Sequence, residues 1–340
     1  MTDRKTKKVS LKDIARQAGV STSLTSFALN GKGKEHRISE ETVRHIIQIA
    51  KDLNYKPNIA AKNLRSGKSG VIGVVIPDIS NIFFAQIVRS MEDVAARLGY
   101  TVFFGSSDEY VQKLQGLVES LINRGVDGFI IAPCERSEKF IHQLVDSNIP
   151  IVQFDRPYKN IESSYVTLNN HKAAYLATSH LIEAGFRRIG MIAYDISLSH
   201  MQERIEGYKA AMEDHGLKSE ICIGFAKSDN LRKSTAKVIA KMKEKGIEAL
   251  FFATNTISVA GLYAISEQKI AIPRELGLVG FDGSDAFELC STPLSYIKQP
   301  VEKLSKKAVE ILVNMLEEEN RAIQCVQIDG ELIVNASSSC

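Results

Sequence analysis

Two architectures are predicted along one 340-residue chain: an all-α helix-turn-helix head, then an α/β body of two doubly wound parallel-sheet lobes. Three observations predict them. Residues 1–68 carry 15 Lys/Arg against 6 Asp/Glu, a net +9, while the remainder carries 28 against 34, a net −6. The basic head reads as three short amphipathic helices. From Val71 onward, apolar runs of strand length alternate with amphipathic helices, the pattern of parallel sheets covered on both faces.

Bulk composition narrows the class. With 44% hydrophobic and 24% charged residues the chain reads as an ordinary globular protein. No apolar run is long enough to span a bilayer. The N-terminus, MTDRKTKKVSLKD, is basic but lacks an apolar segment, so no secretory signal and a cytoplasmic location are expected. The five cysteines (Cys134, Cys222, Cys290, Cys325, Cys340) are scattered and share no ligand-like spacing. Neither a metal nor any other cofactor is expected.

The head is built in order. Ser10 and Asp13 form a capping box before the first helix, Leu11–Ala18, which Gly19 ends. Ser21 is an N-cap for a second helix running to Asn30-Gly31. Ser39, with Glu40 and Glu41 in the first turn, opens a third, whose inward face is Val43, Ile46, Ile47, Ala50 and Leu53. Two short helices joined at Gly19-Val20 make a helix-turn-helix, whose second helix places its N-terminal side chains at base edges in the major groove. Those are Thr22, Ser23, Ser26 and Phe27; the hydroxyls can donate or accept, and Phe27 offers apolar contact, for which a thymine methyl is the obvious target. A basic head on an acidic body fits a polyanionic partner.

Ser66-Gly67-Lys68-Ser69 looks like the end of a phosphate-binding loop. It fails as one: Lys62 stands where the first glycine should be, and the stretch precedes the strand at Val71. It reads as a linker. Before it, Pro57-Asn58 opens a short helical stretch, Ile59–Leu64, too short to be stable alone.

The head resembles the DNA-binding domain of the LacI/GalR family of bacterial transcription regulators. The matching residues run from Leu11-x-Asp13-Ile14-Ala15 through Ala18-Gly19-Val20-Ser21, Leu29-Asn30 and Leu53-x-Tyr55-x-Pro57-Asn58 to Ala61-x-x-Leu64. The departures are local. Phe27 stands where the family places a polar base-reader, and the connection Gly31–Ile38 is about three residues longer than usual. The resemblance implies a head over 1–57, a hinge helix and linker over 58–69, and an effector-binding domain over 70–340. It implies Lys12, Asn30, Lys32, Lys34, Arg37, Tyr55 and Asn58 at the DNA, mostly on phosphates. It also implies Leu64 wedged into the minor groove, with Ala61 allowing close approach. Paired hinge helices on a palindromic operator imply a homodimer.

In the body, the strands are read at VIGVVIP, TVFFGS, DGFIIAP, PIVQFDRP, RIGMIAY, ICIGFA, ALFFATN and LGLVGFD, with helices between. By the resemblance this is a periplasmic-binding-protein-like domain. Its N-lobe spans about 70–168 and 300–328, and its C-lobe about 169–299 and 329–340. Its signatures are Pro77–Phe84, Phe154–Pro157, Arg204–Tyr208, Ala253–Thr256, Gly280–Asp282 and Glu331–Val334, with Ile82 in place of the usual Pro and Thr256 in place of the usual Asp. Ligands of such sheets sit at the carboxyl ends of strands. Asp78, Asp155 and Asp282 can accept from vicinal hydroxyls, Arg204 can donate, Asn255 can do both, and Phe83 or Phe84 offers a face for a ring. A pocket of carboxylates with one clear cation, Arg204, favours a neutral carbohydrate effector over an anion; a sugar acid or a nucleobase co-repressor is the second reading. An exported sugar-binding protein would lack the basic head. An enzyme would need a nucleophile elbow, dinucleotide fingerprint or metal spacing that the chain does not show.

Overall fold

The computed structural model describes residues 9–55, 68–318 and 322–339. It forms two units, one ending at Ser69 and one beginning at Gly70.

In the first unit, helices α1 (Leu11–Ala18), α2 (Thr22–Leu29) and α3 (Glu40–Asp52) enclose a small core of Ile14, Ala28, Ile46, Ile49 and Ala50. Local chemistry sets each end. The Asp13 carboxylate accepts the Ser10 N–H at 3.0 Å and its hydroxyl at 2.6 Å. Gly19 turns the chain at φ 67°, a left-handed conformation that glycine takes without a Cβ penalty. The Ser21 hydroxyl then accepts the Leu24 N–H at 3.1 Å, and that of Ser39 accepts the Thr42 N–H at 3.2 Å. Thr25 and Ala28 are buried on the inner face of α2, which leaves Thr22 and Ser23 exposed and Ser26 and Phe27 half-buried.

The second unit alternates strand and helix as the hydrophobic pattern demands. Its first lobe contains β1 (Val71–Ile76), α4 (Ile82–Arg97), β2 (Thr101–Ser106), α5 (Val111–Ile122), β3 (Gly128–Ile131), α6 (Glu138–Asp146), β4 (Ile151–Phe154) and β5 (Ser164–Leu168). The chain then builds α7 (Asn170–Glu183), β6 (Ile189–Tyr194), α8 (Ser199–Asp214), β7 (Cys222–Ala226), α9 (Leu231–Glu244), β8 (Ala249–Phe252), α10 (Asn255–Glu267), β9 (Gly277–Phe281), α11 (Asp285–Glu288) and β10 (Ser295–Lys298). It returns through α12 (Val301–Glu317) and β11 (Cys325–Ile328), and ends at β12 (Glu331–Ile333).

The first sheet has the order β11-β5-β4-β3-β1-β2, parallel throughout. Val74 sits between Phe104 and Ile130 in its register. The second has the order β12-β10-β9-β8-β6-β7, parallel except where β12 runs against β10. Both faces of each sheet are covered. One face of the first sheet packs on Ile87 and Met91 of α4 and Leu312 of α12, the other on Leu114 of α5 and Ile141 of α6. The chain passes between sheets at 168–170, at 298–301 and at 328–331.

The alternation read from the sequence stops at Asp282. The strands β5, β10, β11 and β12 and helix α12 complete the two sheets beyond what that pattern assigned. The strands are short, and the sequences SYVTL, SYIK, CVQI and ELI carry too few periods to register as strands before their neighbours are in place. Helix α8 starts at Ser199, three residues before the expected Gln202, because His200 and Met201 are buried by tertiary contacts.

Helices α7 and α8 touch through small residues. A Cβ on Gly207 would stand 2.1 Å from the His171 carbonyl oxygen, a backbone atom that cannot yield. Gly116, on the exposed side of α5, has nothing within 4 Å. Gly207→Ala should therefore destabilise by about 1–3 kcal/mol or more through overpacking, whereas Gly116→Ala should stabilise by about 0.5–1 kcal/mol. Chemical denaturation of the two variants checks the pair; equal effects would contradict the close helix crossing.

Candidate functional site

The two lobes repeat one device. Asp155 follows β4 and Asp282 follows β9, each directly after a buried phenylalanine, Phe154 or Phe281. Both aspartates adopt positive φ, 64° and 61°, a region that short polar side chains enter more readily than bulky ones. Each amide donates to the adjacent strand, Asp155 to the Val166 carbonyl at 2.9 Å and Asp282 to the Ile297 carbonyl at 2.8 Å. The turn lifts the chain off the sheet at its carboxyl end, yet leaves both carboxylates buried, only 5% and 8% exposed.

Around them lies a buried polar cluster. Asp155 Oδ2 accepts from Arg156 Nε at 3.1 Å, and Arg156 Nη1 donates to Glu109 Oε1 at 2.7 Å. Asp282 Oδ1 accepts from Gln299 Nε2 at 2.7 Å. Arg204, on α8, is 3% exposed. Its Nε donates to Asn170 Oδ1 at 2.8 Å and its Nη1 to the Ala253 carbonyl at 2.7 Å, and its Cζ stands 3.6 Å from the Phe281 ring centroid. Among the described residues no carboxylate lies within ion-pair distance of it, and its Nη2 makes no hydrogen bond. Burial pulls the guanidinium down to about 10, against the pull of Asp282 and Asp155. Burial likewise pushes the Asp282 carboxyl up to about 6, although Arg204 and Gln299 oppose it. His200, buried near Arg156 and Arg204, is held well below the ordinary histidine range, first by burial and then by those two cations.

Several buried polar atoms have no partner among the described residues: His200 Nδ1, Asn255 Nδ2 and Gln299 Oε1. Each costs about 1–3 kcal/mol if left so, and such groups in a native site call for a partner. Beside Asp282 and Gln299 opens a cleft of about 610 Å³, walled by Ile82 and Phe83 from the first lobe and Gly283 and Tyr296 from the second. Another edge of the interlobe boundary is bridged. Glu135 Oε1 accepts both the N–H and the hydroxyl of Ser197 at 2.9 Å, Ser199 Oγ donates to the Pro157 carbonyl at 3.0 Å, and Lys159 meets Glu203 at 2.5 Å.

Of the effector residues named from sequence, Asp155, Arg204, Asn255 and Asp282 fall in this cluster. Asp78 does not. It is exposed and turned back on Ser80, taking that residue's N–H at 2.8 Å and hydroxyl at 2.6 Å. Phe83 and Phe84 are both buried, edge to face at 5.1 Å; Phe83 lines the cleft and Phe84 lies 5.5 Å below Arg156. The expectation of one clear cation is corrected: Arg156 is a second, and it is already committed to Asp155 and Glu109. Thr256 bonds to the Tyr194 hydroxyl at 2.9 Å and to Thr254 at 3.1 Å. Sequence reasoning missed Arg156, His200 and Gln299. Arg156 sits inside Phe154–Pro157 and was legible there; His200 and Gln299 carry no local signal.

In the head, Lys12, Thr22, Ser23, Asn30, Lys32, Lys34 and Arg37 are exposed and Tyr55 is half-buried against the core. Asn30 Nδ2 donates to the Ser26 carbonyl at 2.7 Å, closing α2 on itself. One face of the Phe27 ring is covered by His36. Asn58, Ala61 and Leu64 lie outside the described residues. Among the described residues no helix is long and apolar enough to cross a membrane, and no cluster of metal-ligating side chains occurs.

A family model described as bacterial regulatory proteins, lacI family, matches residues 10–58, and one described as a periplasmic binding protein-like domain matches residues 178–338. Over 328 residues the chain is 30% identical to the ribose operon repressor of Halalkalibacterium halodurans, covering 96% of each protein. The chain belongs to the lacI family of bacterial regulatory proteins. Like other members of the lacI family it is a DNA-binding transcription regulator and not an enzyme. A second relative, the HTH-type transcriptional repressor PurR of Pasteurella multocida, is 27% identical over 331 residues, 96% of this chain and 98% of that one. The fold is that of the lac repressor dimer bound to operator and the anti-inducer ONPF, with TM-score 0.84 at 21% identity over 98% of this chain and 100% of that one. It is also that of a LacI family regulator from Enterococcus faecium with bound ribose, with TM-score 0.70 at 22% identity over 79% and 98%.

The buried carboxyl supplies a pH test. Asp282 binds its proton more tightly in the fold, at about 6, than its ordinary value of 3.8. Its contribution to stability is therefore fully present below about pH 4 and is lost as pH rises through about 6, a swing of about 3 kcal/mol. Asp282→Asn should remove that swing. The unfolding free energy of the variant, minus that of the wild type, should rise by about 3 kcal/mol between pH 4 and pH 7 in denaturant titrations. Parallel pH profiles would show a carboxyl that is ionised throughout.

Proposed function

We propose that this regulator is a cytoplasmic homodimeric repressor whose affinity for a palindromic operator is set by a small polyhydroxylated effector, a sugar or sugar derivative, held between the lobes. The observation that carries this reading is the mixture of unmet donors and acceptors around Arg204 and Asp282. Arg204 Nη2 and Asn255 Nδ2 can donate and Gln299 Oε1 can accept, beside the Asp282 carboxylate that Gln299 and the Asn255 backbone hold in place. A hydroxyl does both, so a vicinal diol answers such a set better than a purely anionic or purely apolar ligand. Phe83 offers the apolar wall that a sugar ring needs. Asp155 and Asp282 disfavour a phosphate.

The effector reaches the DNA-binding state through the lobes. Asp155 sits on one lobe and Arg204, Asn255 and Asp282 on the other. A ligand touching both stabilises one relative orientation, and the three interlobe crossings at 168–170, 298–301 and 328–331 are where the chain would flex. Only such differential affinity can shift the DNA-binding equilibrium.

Ribose comes first in a screen because a relative is named ribose operon repressor and a neighbour was solved with ribose. In a thermal-shift panel of pentoses, hexoses, sugar acids and nucleobases, a neutral sugar should raise the melting temperature. Its affinity should weaken as pH falls through about 6, where Asp282 takes up its proton and loses acceptor capacity. A response confined to nucleobases or sugar acids would replace the carbohydrate reading.

The homodimer reading draws on the edge strand β2, where Phe103 and Phe104 are 45% and 54% exposed. An exposed apolar edge of this kind is a liability unless a partner covers it. Phe104→Glu should give a monomer in light scattering and lower operator affinity by at least about tenfold, since two half-site contacts become one. A variant that stays dimeric would place the interface elsewhere.

A further inference from the structure

The loop between α2 and α3 is folded by its own hydrogen bonds. Lys32 N–H donates to the Phe27 carbonyl at 2.9 Å, His36 N–H to the Lys32 carbonyl at 3.2 Å, and Ile38 N–H to the Gly33 carbonyl at 2.8 Å. Gly33 is buried at a place where a Cβ would stand 2.7 Å from Val43 Cγ2. Arg37 takes a positive φ of 53° to close the turn. The outcome is one defined contact: the imidazole of His36 lies flat on the ring of Phe27, with centroids 3.4 Å apart and planes 16° apart.

That contact sits on the outer face of α2. Phe27 lies four residues after Ser23 and one after Ser26, while Thr25 and Ala28 point into the core. The stack therefore belongs to the same surface as Thr22, Ser23 and Ser26. Phe27 is half-buried by it, whereas His36 stays exposed. Lys32, Lys34 and Arg37 flank the histidine, all exposed, and the one acid among them, Glu35, stands 3.9 Å from Lys32. A phenyl ring can make no hydrogen bond to a base edge. An imidazole can, and one whose ring is already fixed loses less side-chain freedom when it does so.

We propose that His36, held in place by Phe27, is a sequence-reading residue of this regulator, donating an N–H to a purine N7 in the major groove. Phe27 is its positioning residue. The polar reader is supplied from the following loop instead of from α2 itself, and the loop's cations fix its register on the phosphates.

The test uses the full-length protein and duplex DNA selected from a random library, so no operator need be known. Selection with His36→Ala should return the wild-type site with one purine position per half-site relaxed, about tenfold in preference, and the other positions unchanged. Phe27→Leu, which keeps an apolar side chain but removes the stacking surface, should relax the same position; Phe27→Tyr should retain it. A 7-deaza purine at that position provides a check that needs no protein variant. It should lower wild-type affinity about tenfold and leave His36→Ala affinity unchanged. An unchanged selected site for His36→Ala, a loss spread evenly over all positions, or equal sensitivity of both proteins to the deaza base would each overturn the proposal and leave the stack as a loop staple.

Discussion

The interlobe site depends on one buried cation. Removing a guanidinium from water costs several kcal/mol. Arg204 recovers part of that through two charge-assisted hydrogen bonds, about 1.5–3 kcal/mol each, and about 2 kcal/mol from the face of Phe281. A fall to about 10 leaves roughly 3 kcal/mol of that cost unrecovered, yet the group stays charged at neutral pH. The same three contacts bind separate parts of the chain together. Asn170 opens α7 directly after the crossing from the first lobe, Ala253 follows β8, and Phe281 ends β9. Anything that engages the remaining nitrogen of Arg204 acts on a group tied to an interlobe crossing.

The opposing acids are held by the fold in matched fashion. A phenylalanine at the end of a central strand enters the core, and the aspartate after it turns left-handed with its amide bonded to the neighbouring strand. A residue in that conformation is kept there only when its surroundings over-determine it, and such positions gather at ligand sites. The two copies then diverge. Asp155 is paired with Arg156, which also pairs with Glu109, whereas Asp282 is held by Gln299 and the Asn255 backbone and meets Arg204 only through space. Burial, only partly opposed by Arg204 and Gln299, gives Asp282 its raised proton affinity.

The head accommodates its long Gly31–Ile38 connection without disturbing its core. The residues that pack α1, α2 and α3 follow the helix pattern with one correction: Ile47, expected inward, is 37% exposed, and Ile49 is buried in the core instead. Phe27 and the lengthened Gly31–Ile38 connection, two separate oddities in sequence, meet in a single stack. The thymine-methyl role expected for Phe27 competes with that stack for the ring face.

Local patterning alone determined the helical head, its caps at Ser10, Ser21 and Ser39, and the strand–helix alternation from Val71 to Asp282. These depend on neighbours within a few residues, where periodicity and capping act. The resemblance to a known family added the site residues Asp155, Arg204, Asn255 and Asp282. Only the tertiary structure decided that Asp78 stays outside the cluster, that Arg156 pairs with both Asp155 and Glu109, and that His200 and Gln299 enter the cluster. Burial, charge pairing and ring stacking act between residues far apart in the chain, as between Asp282 and Gln299 or Arg204 and Asn170. No local period encodes such pairs; they form only when parallel sheets bring the ends of separate strands to one cleft.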